Sequence, residues 1–205
     1  SARGSRRAVR EWARVLHHPS FDILTRQLFW KPSVWELREG APGIKAEDHY
    51  KALTLVRPDI PALVLLDGDD QPTIQGTDIT GNGLQRVRWR RYEIESYLIH
   101  PPALERFVIH QVGEGAAPTH LEGLRNYLND NFPPAVIKEP LGDHEFLNTT
   151  KARTRLLPPI LDAAGLQGFP YTRYHEIAAL MQPEEIHPEI REKLDSICKA
   201  FRIPL

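Results

Sequence analysis

The chain has 205 residues, 41% hydrophobic and 26% charged, a balance that suits a globular protein with a real core and excludes a disordered polyelectrolyte. Its formal net charge of −1 excludes polyanion binding driven by overall charge, and a single cysteine, Cys198, excludes a disulfide framework or a cysteine-based zinc site. No apolar run reaches the ~18 residues of a membrane span and the N-terminus has no signal-peptide core, so a cytoplasmic location is the default expectation.

The chain opens without Met, in the polar run Ser1-Ala2-Arg3-Gly4-Ser5, and reads as a piece of something longer. Residues 1–31 are locally basic, with Arg3, Arg6, Arg7, Arg10, Arg14, Arg26 and Lys31 against Glu11 and Asp22. Such a face is ordinarily just solvated, although it would favour a polyanion. Val9, Trp12, Ala13 and Leu16 fall at helical spacing, which predicts an amphipathic helix over Arg6–Leu16. It should end near His17-His18-Pro19, with both histidines as its solvated end. Phe21–Trp30 is rich in β-formers (Ile23, Thr25, Phe29) and is predicted as a strand. Val34, Trp35 and Leu37 suggest a further short strand before a loop at Glu39–Gly43. Ala46, Tyr50, Leu53 and Val56 then mark a helix that stops before Pro58.

Ala62–Leu66 is an apolar run too short for a helix and without alternation, as in a strand buried on both faces of a parallel sheet. It ends in Asp67-Gly68-Asp69-Asp70, and ligands bind beyond the carboxyl ends of such strands. Asp67 and Asp69 would share a side of the strand and repel each other unless a cation or a shared proton intervenes. The other reading is an Asp-Gly turn. Gln71–Gly83 reads as a long loop, and Arg86-Val87-Arg88-Trp89-Arg90 as a half-buried strand with a basic stripe. Helix, strand, helix, strand is an alternating α/β order. Arg91–Leu98 turns acidic and amphipathic, Pro102 opens a helix carrying Leu104, Phe107 and Val108, and Gly113–Pro118 is a loop. Leu121, Leu124 and Leu128 place a helix over His120–Leu128, broken again at Asn129–Pro134. Ile137–Asn148 looks polar and irregular, and Leu156, Leu157, Ile160 and Leu161 form an apolar cluster. Ile190, Leu194, Ile197 and Phe201 mark a last helix, with Cys198 as a small buried hydrophobe and Glu189 and Glu192 in structural roles near its dipole.

No phosphate-binding glycine loop and no serine-nucleophile elbow is present, and His144, His175 and His187 read as surface histidines. The remaining chemistry is acidic: Asp67, Asp69 and Asp70, then Glu93 and Glu95. Oxygen-only ligands suit Mg²⁺ or Mn²⁺. Two such ions could hold a phosphodiester, activate a water and stabilise the leaving oxygen. A lysine would offset charge on the reacting phosphate, and Lys151 in Asn148–Arg153 is best placed by context, against its plain reading as an exposed lysine at a helix start.

The strand ending in Asp67-Gly68-Asp69-Asp70, the loop, the basic strand and Arg91-Tyr92-Glu93-Ile94-Glu95-Ser96-Tyr97-Leu98 together resemble the TOPRIM domain of OLD-family (overcoming lysogenization defect) nucleases. The resemblance implies a TOPRIM-like, mainly parallel α/β sheet flanked by helices over residues 1–150, with a C-terminal helical appendage over 151–205. It implies Asp67 and Asp69 as ligands of Mg²⁺ or Mn²⁺, with Asp70 beside them, Glu95 and its neighbour Glu93 as further acids, and Lys151 as the catalytic lysine. It also implies DNA as substrate, an ABC-type ATPase domain upstream, and a setting in anti-phage defence; a homodimer is compatible with it. The family pattern opens with a strand ending in Glu-Gly. Glu39-Gly40 is read as a loop, so that strand is expected upstream of Ser1.

Three functions compete. The leading one is metal-dependent nicking or cleavage of DNA. The second is a degenerate TOPRIM scaffold that binds nucleic acid or a protein without catalysis. The third is a primase-like polymerase built on the same acids.

Overall fold

Ala8, Val9, Trp12 and Ala13 are buried on one side of helix α1 (Ala2–Val15), while Arg6, Arg7 and Arg14 stay in solvent. The structure is a computed structural model and describes residues 2–26, 46–68, 78–79 and 83–204. The apolar face of α1 packs against α9 (His175–Leu180), far along the chain. There the Trp12 indole donates to Met181 Sδ at 3.3 Å, and Arg14 donates to the Ala179 carbonyl at 3.1 Å.

Two expectations near this end are corrected. The described part of Phe21–Trp30 is helix α2 (Ser20–Arg26), not a strand. Leu24 is buried, Phe21 and Ile23 pack on the core, and Thr25 Oγ1 donates back to the Phe21 carbonyl at 2.8 Å. Packing on one face overrides the β-propensity of Ile and Thr. His17 is exposed at a φ of 49°, but His18 is buried rather than solvated. Its ring bridges Ser20 Oγ at 2.8 Å and Asp195 Oδ1 at 2.9 Å, so the turn is held by the last helix. The expected strand at 34–37 and the Glu39–Gly43 loop lie outside the described residues.

Helix α3 (Ala46–Val56) matches expectation and leads to β1 (Ala62–Leu66). With β2 (Asp78–Ile79) and β3 (Leu84–Arg88) it forms a sheet of order β1-β3-β2. β1 and β3 are parallel, with Val64 opposite Arg86 and Leu66 opposite Arg88, whereas β2 runs antiparallel to β3. The stretch expected as one loop, Gln71–Gly83, therefore contains a short strand. The three described helices before β1 replace the expected alternation, but the fold is mixed α/β with a parallel pair, and most of it is helical.

All five β1 residues are half-buried, not fully enclosed. Leu63 and Leu65 pack on the main core, beside α10 (Pro188–Ala200). Register puts Arg86 on the opposite face, where its guanidinium pairs with Glu47 of α3. Helices thus flank both faces of the sheet.

The expected helices follow as α4 (Pro101–Val112) and α5 (Ala117–Asn131), α5 starting inside the predicted loop and running past its predicted end. Ile137–Asn148 is less irregular than predicted: α6 (Pro134–Lys138) reaches into it and α7 (Glu145–Thr149) begins in it. A π-helical turn, Ala152–Leu156, runs directly into α8 (Leu157–Ala163), and Leu157, Ile160 and Leu161 are fully buried. Cys198 is buried as expected.

The segment after position 150 is helical, as expected, and its place in the molecule is central. One continuous core runs from Ala8 and Trp12 through Leu98 and Phe107 to Ile160, Ile177 and Ile197. Helix α10 touches α1, α2, β1 and β3.

Candidate functional site

β1 and β3 run parallel, so both deliver their carboxyl ends to the same edge of the sheet. The ladder continues one step beyond the strands, where Trp89 N–H donates to the Leu66 carbonyl at 2.9 Å. Arg88 then donates to the Asp67 carbonyl at 2.7 Å. Gly68 lies flat against the backbone of Arg90 and Arg91; a Cβ there would stand 2.4 Å from the Arg91 carbonyl oxygen. Only glycine allows that approach, and it brings Asp67 alongside the acidic segment.

That segment, read from its sequence as acidic and amphipathic, is buried almost throughout. Glu93 is extended, Ile94–Leu98 is a 3₁₀ turn, and every residue from Glu93 to His100 is buried. The reason is tertiary: the segment is wedged between the sheet edge, α10 and the stretch 140–153. The Arg91 guanidinium donates to the carbonyls of Ser96, Pro140 and Gly142 at 2.9, 2.7 and 3.1 Å. Tyr92 N–H donates to the Leu147 carbonyl at 3.2 Å.

Of the predicted acids, Asp67 and Glu93 lie near enough to Glu95 for their charges to act on it. Glu93 accepts from the Arg153 backbone N–H at 2.9 Å, and the Arg153 guanidinium lies 3.4 Å from its other oxygen. Glu95 has no such partner. Burial pushes its carboxyl up to about 7, with the nearby charges of Asp67 and Glu93 adding to the effect; its own backbone N–H and Arg153 oppose it. Tyr174 is raised to about 12, first by burial and then by Glu95 and Asp162. Glu95 is therefore a carboxyl that a cation would ionise.

Lys151 is exposed, with its ammonium 5.6 Å from the centre of the Tyr92 ring, next in the chain to Glu93. Asp69 and Asp70 lie outside the described residues. Among the described residues no three ligating side chains stand as a ready-made metal cluster. The donor set nevertheless fits a hard divalent cation: Asp67 and Glu95 are all-oxygen ligands, and their mutual repulsion is what such an ion would relieve.

Several residues that build this site carry no local signal. Glu189, at the start of α10, is 1% exposed. It accepts from Tyr97 Oη and from the Arg90 backbone N–H at 2.9 Å, with Lys193 Nζ at 3.4 Å. One carboxylate on the last helix thus pins the acidic segment on both sides of Glu93 and Glu95. His187, expected on the surface, is half-buried instead: it caps α10 by accepting from Glu189 N–H at 3.1 Å and packs edge-on to Tyr97. Burial, aided by Arg91 and Arg90, lowers it to about 4, so it stays neutral at physiological pH. His144 and His175 are partly exposed, in keeping with surface histidines.

Comparison with protein-family models, curated proteins and solved structures finds no match to this chain. No described helix is long and apolar enough to cross a membrane.

Proposed function

We propose that this chain carries a TOPRIM-type site for Mg²⁺- or Mn²⁺-dependent hydrolysis of a DNA phosphodiester, of the kind found in OLD-family nucleases. The observation that supports the reading is the position of Asp67 directly after a strand of the parallel pair, with its charge near enough to add to the raised Glu95. Asp67 and Glu95 would hold the metal, with Asp69 and Asp70 following Asp67 in the chain. A bound ion would supply Lewis acidity for the phosphoryl oxygen and acidify a water.

The chain's own residues set up the rest. Gly68 lets the Asp67 turn approach the acidic segment, and Glu189 holds that segment from behind. Lys151, exposed beside Tyr92, would be a cation to meet an incoming phosphate. On this reading the chain works in the cytoplasm behind an ABC-type ATPase domain, in defence against phage.

The test is cleavage of supercoiled plasmid by the chain with Mn²⁺ or Mg²⁺. Nicked or linear product should form with metal, vanish with chelator and fall at least about a hundredfold in Asp67→Ala. Undiminished cleavage in that variant would end the proposal. One observation favours a second reading, a binding module without catalysis: Glu93 is already engaged by Arg153. Strongly salt-dependent DNA binding with no metal-stimulated cleavage would select it.

A further inference from the structure

The geometry points to Arg153 as a built-in counter-cation of the acidic cluster, one that a divalent metal must displace from Glu93 before Glu93 can serve as a ligand. The inference rests on the metal-site reading above. At this edge Arg153 is in direct contact with the Glu93 carboxylate. Its hold is double: the backbone N–H takes one oxygen of Glu93 and the guanidinium faces the other. Its charge also lowers the cost of ionising Glu95.

The local backbone explains how Arg153 gets there. Ala152–Leu156 is a π-helical turn, a geometry that arises where one extra residue is fitted into a helix and that recurs at functional sites. Ala152 is fully buried and anchors the turn, which aims the amide of Arg153 at Glu93. The Arg153 side chain is still 31% exposed against 6% for Glu93. The guanidinium is therefore the more solvent-accessible of the two partners. When charge is exchanged at this site, the arginine is the partner free to leave.

Removing the cation should therefore strengthen binding of the competing ion. Mn²⁺ affinity of the full chain is measured by titration calorimetry for wild type, Arg153→Gln and Arg153→Lys, with chain melting followed alongside. Arg153→Gln should bind Mn²⁺ on the order of tenfold tighter, while Arg153→Lys, which keeps the charge, should stay within about threefold of wild type. Binding that is equal or weaker in a folded Arg153→Gln overturns the inference, even if wild type cleaves DNA in a metal-dependent way. If wild type takes up no Mn²⁺ but Arg153→Gln does, the inference stands. If neither does, it falls together with the metal-site reading. A readout in wild type covers the case of a variant that fails to fold: the Arg153 Nε–Hε resonance should move on addition of Mg²⁺. A resonance that stays fixed while Asp67 responds overturns the inference.

Discussion

Replacing Glu189 with Ala should be the most damaging single change to the site that leaves every predicted ligand in place. Its carboxylate is 1% exposed and serves three donors: Tyr97 Oη, the Arg90 N–H and Lys193 Nζ. In the Ala variant the Tyr97 hydroxyl keeps its bond from the Arg91 N–H but its own proton loses its acceptor, and the part-buried Arg90 amide loses its partner, at about 1–3 kcal/mol each, while Lys193, 17% exposed, can turn to water. The expected loss is about 3–5 kcal/mol, the range for breaking a buried charged pair. For a chain of this size that lowers the melting temperature by roughly 10 °C. Glu189→Gln keeps an acceptor and should lose about 1–2 kcal/mol, and Tyr97→Phe about 1 kcal/mol. Urea and thermal unfolding of the singles and of the double variant give the coupling, expected at about 1–2 kcal/mol. A loss below about 1 kcal/mol in Glu189→Ala, or additive effects in the double variant, would refute the view that α10 pins the acidic segment.

Two further outcomes follow from the same edge of the sheet. Gly68→Ala should destabilise by about 2–3 kcal/mol, because the new Cβ meets backbone, the Arg91 carbonyl, at 2.4 Å, so that one of the two backbones must shift; an unchanged melting temperature would show that the approach is not required. Glu95 holds its proton more tightly folded, at about 7, than at its ordinary value of 4.5. In metal-free protein its contribution is fully present below the ordinary value and is lost as pH rises through about 7, up to about 3 kcal/mol in all. Wild type should therefore lose stability between pH 5 and 8 more steeply than Glu95→Gln; parallel profiles in chelator would remove the case for a buried, uncompensated Glu95.

The elements legible in the sequence are those whose own spacing reports their burial. The faces of α1, α4, α5 and α10 repeat every three to four residues, and Ala62–Leu66 is too short and too apolar for anything but a strand. The acids of the candidate site were legible for a related reason: Asp67 follows a strand directly, and strand ends present side chains to ligands. Where the sequence misled, a distant partner decides the local state. Ser20–Arg26 is a helix because Leu24 has a core to enter, and His18 is buried because Asp195 stands 177 positions away to receive it.

By itself, then, the sequence determined a mixed α/β chain, its principal helices and two strands, and it singled out a small set of acids. Only the tertiary structure decided which of those acids meet and in what state. Glu93 is consumed by Arg153, Glu95 is left buried beside Asp67, and both are held in place by Glu189 from the far end of the chain. The physical reason is range. Periodicity and propensity act over a few residues, whereas the ionisation of a buried carboxyl depends on whatever the fold packs around it.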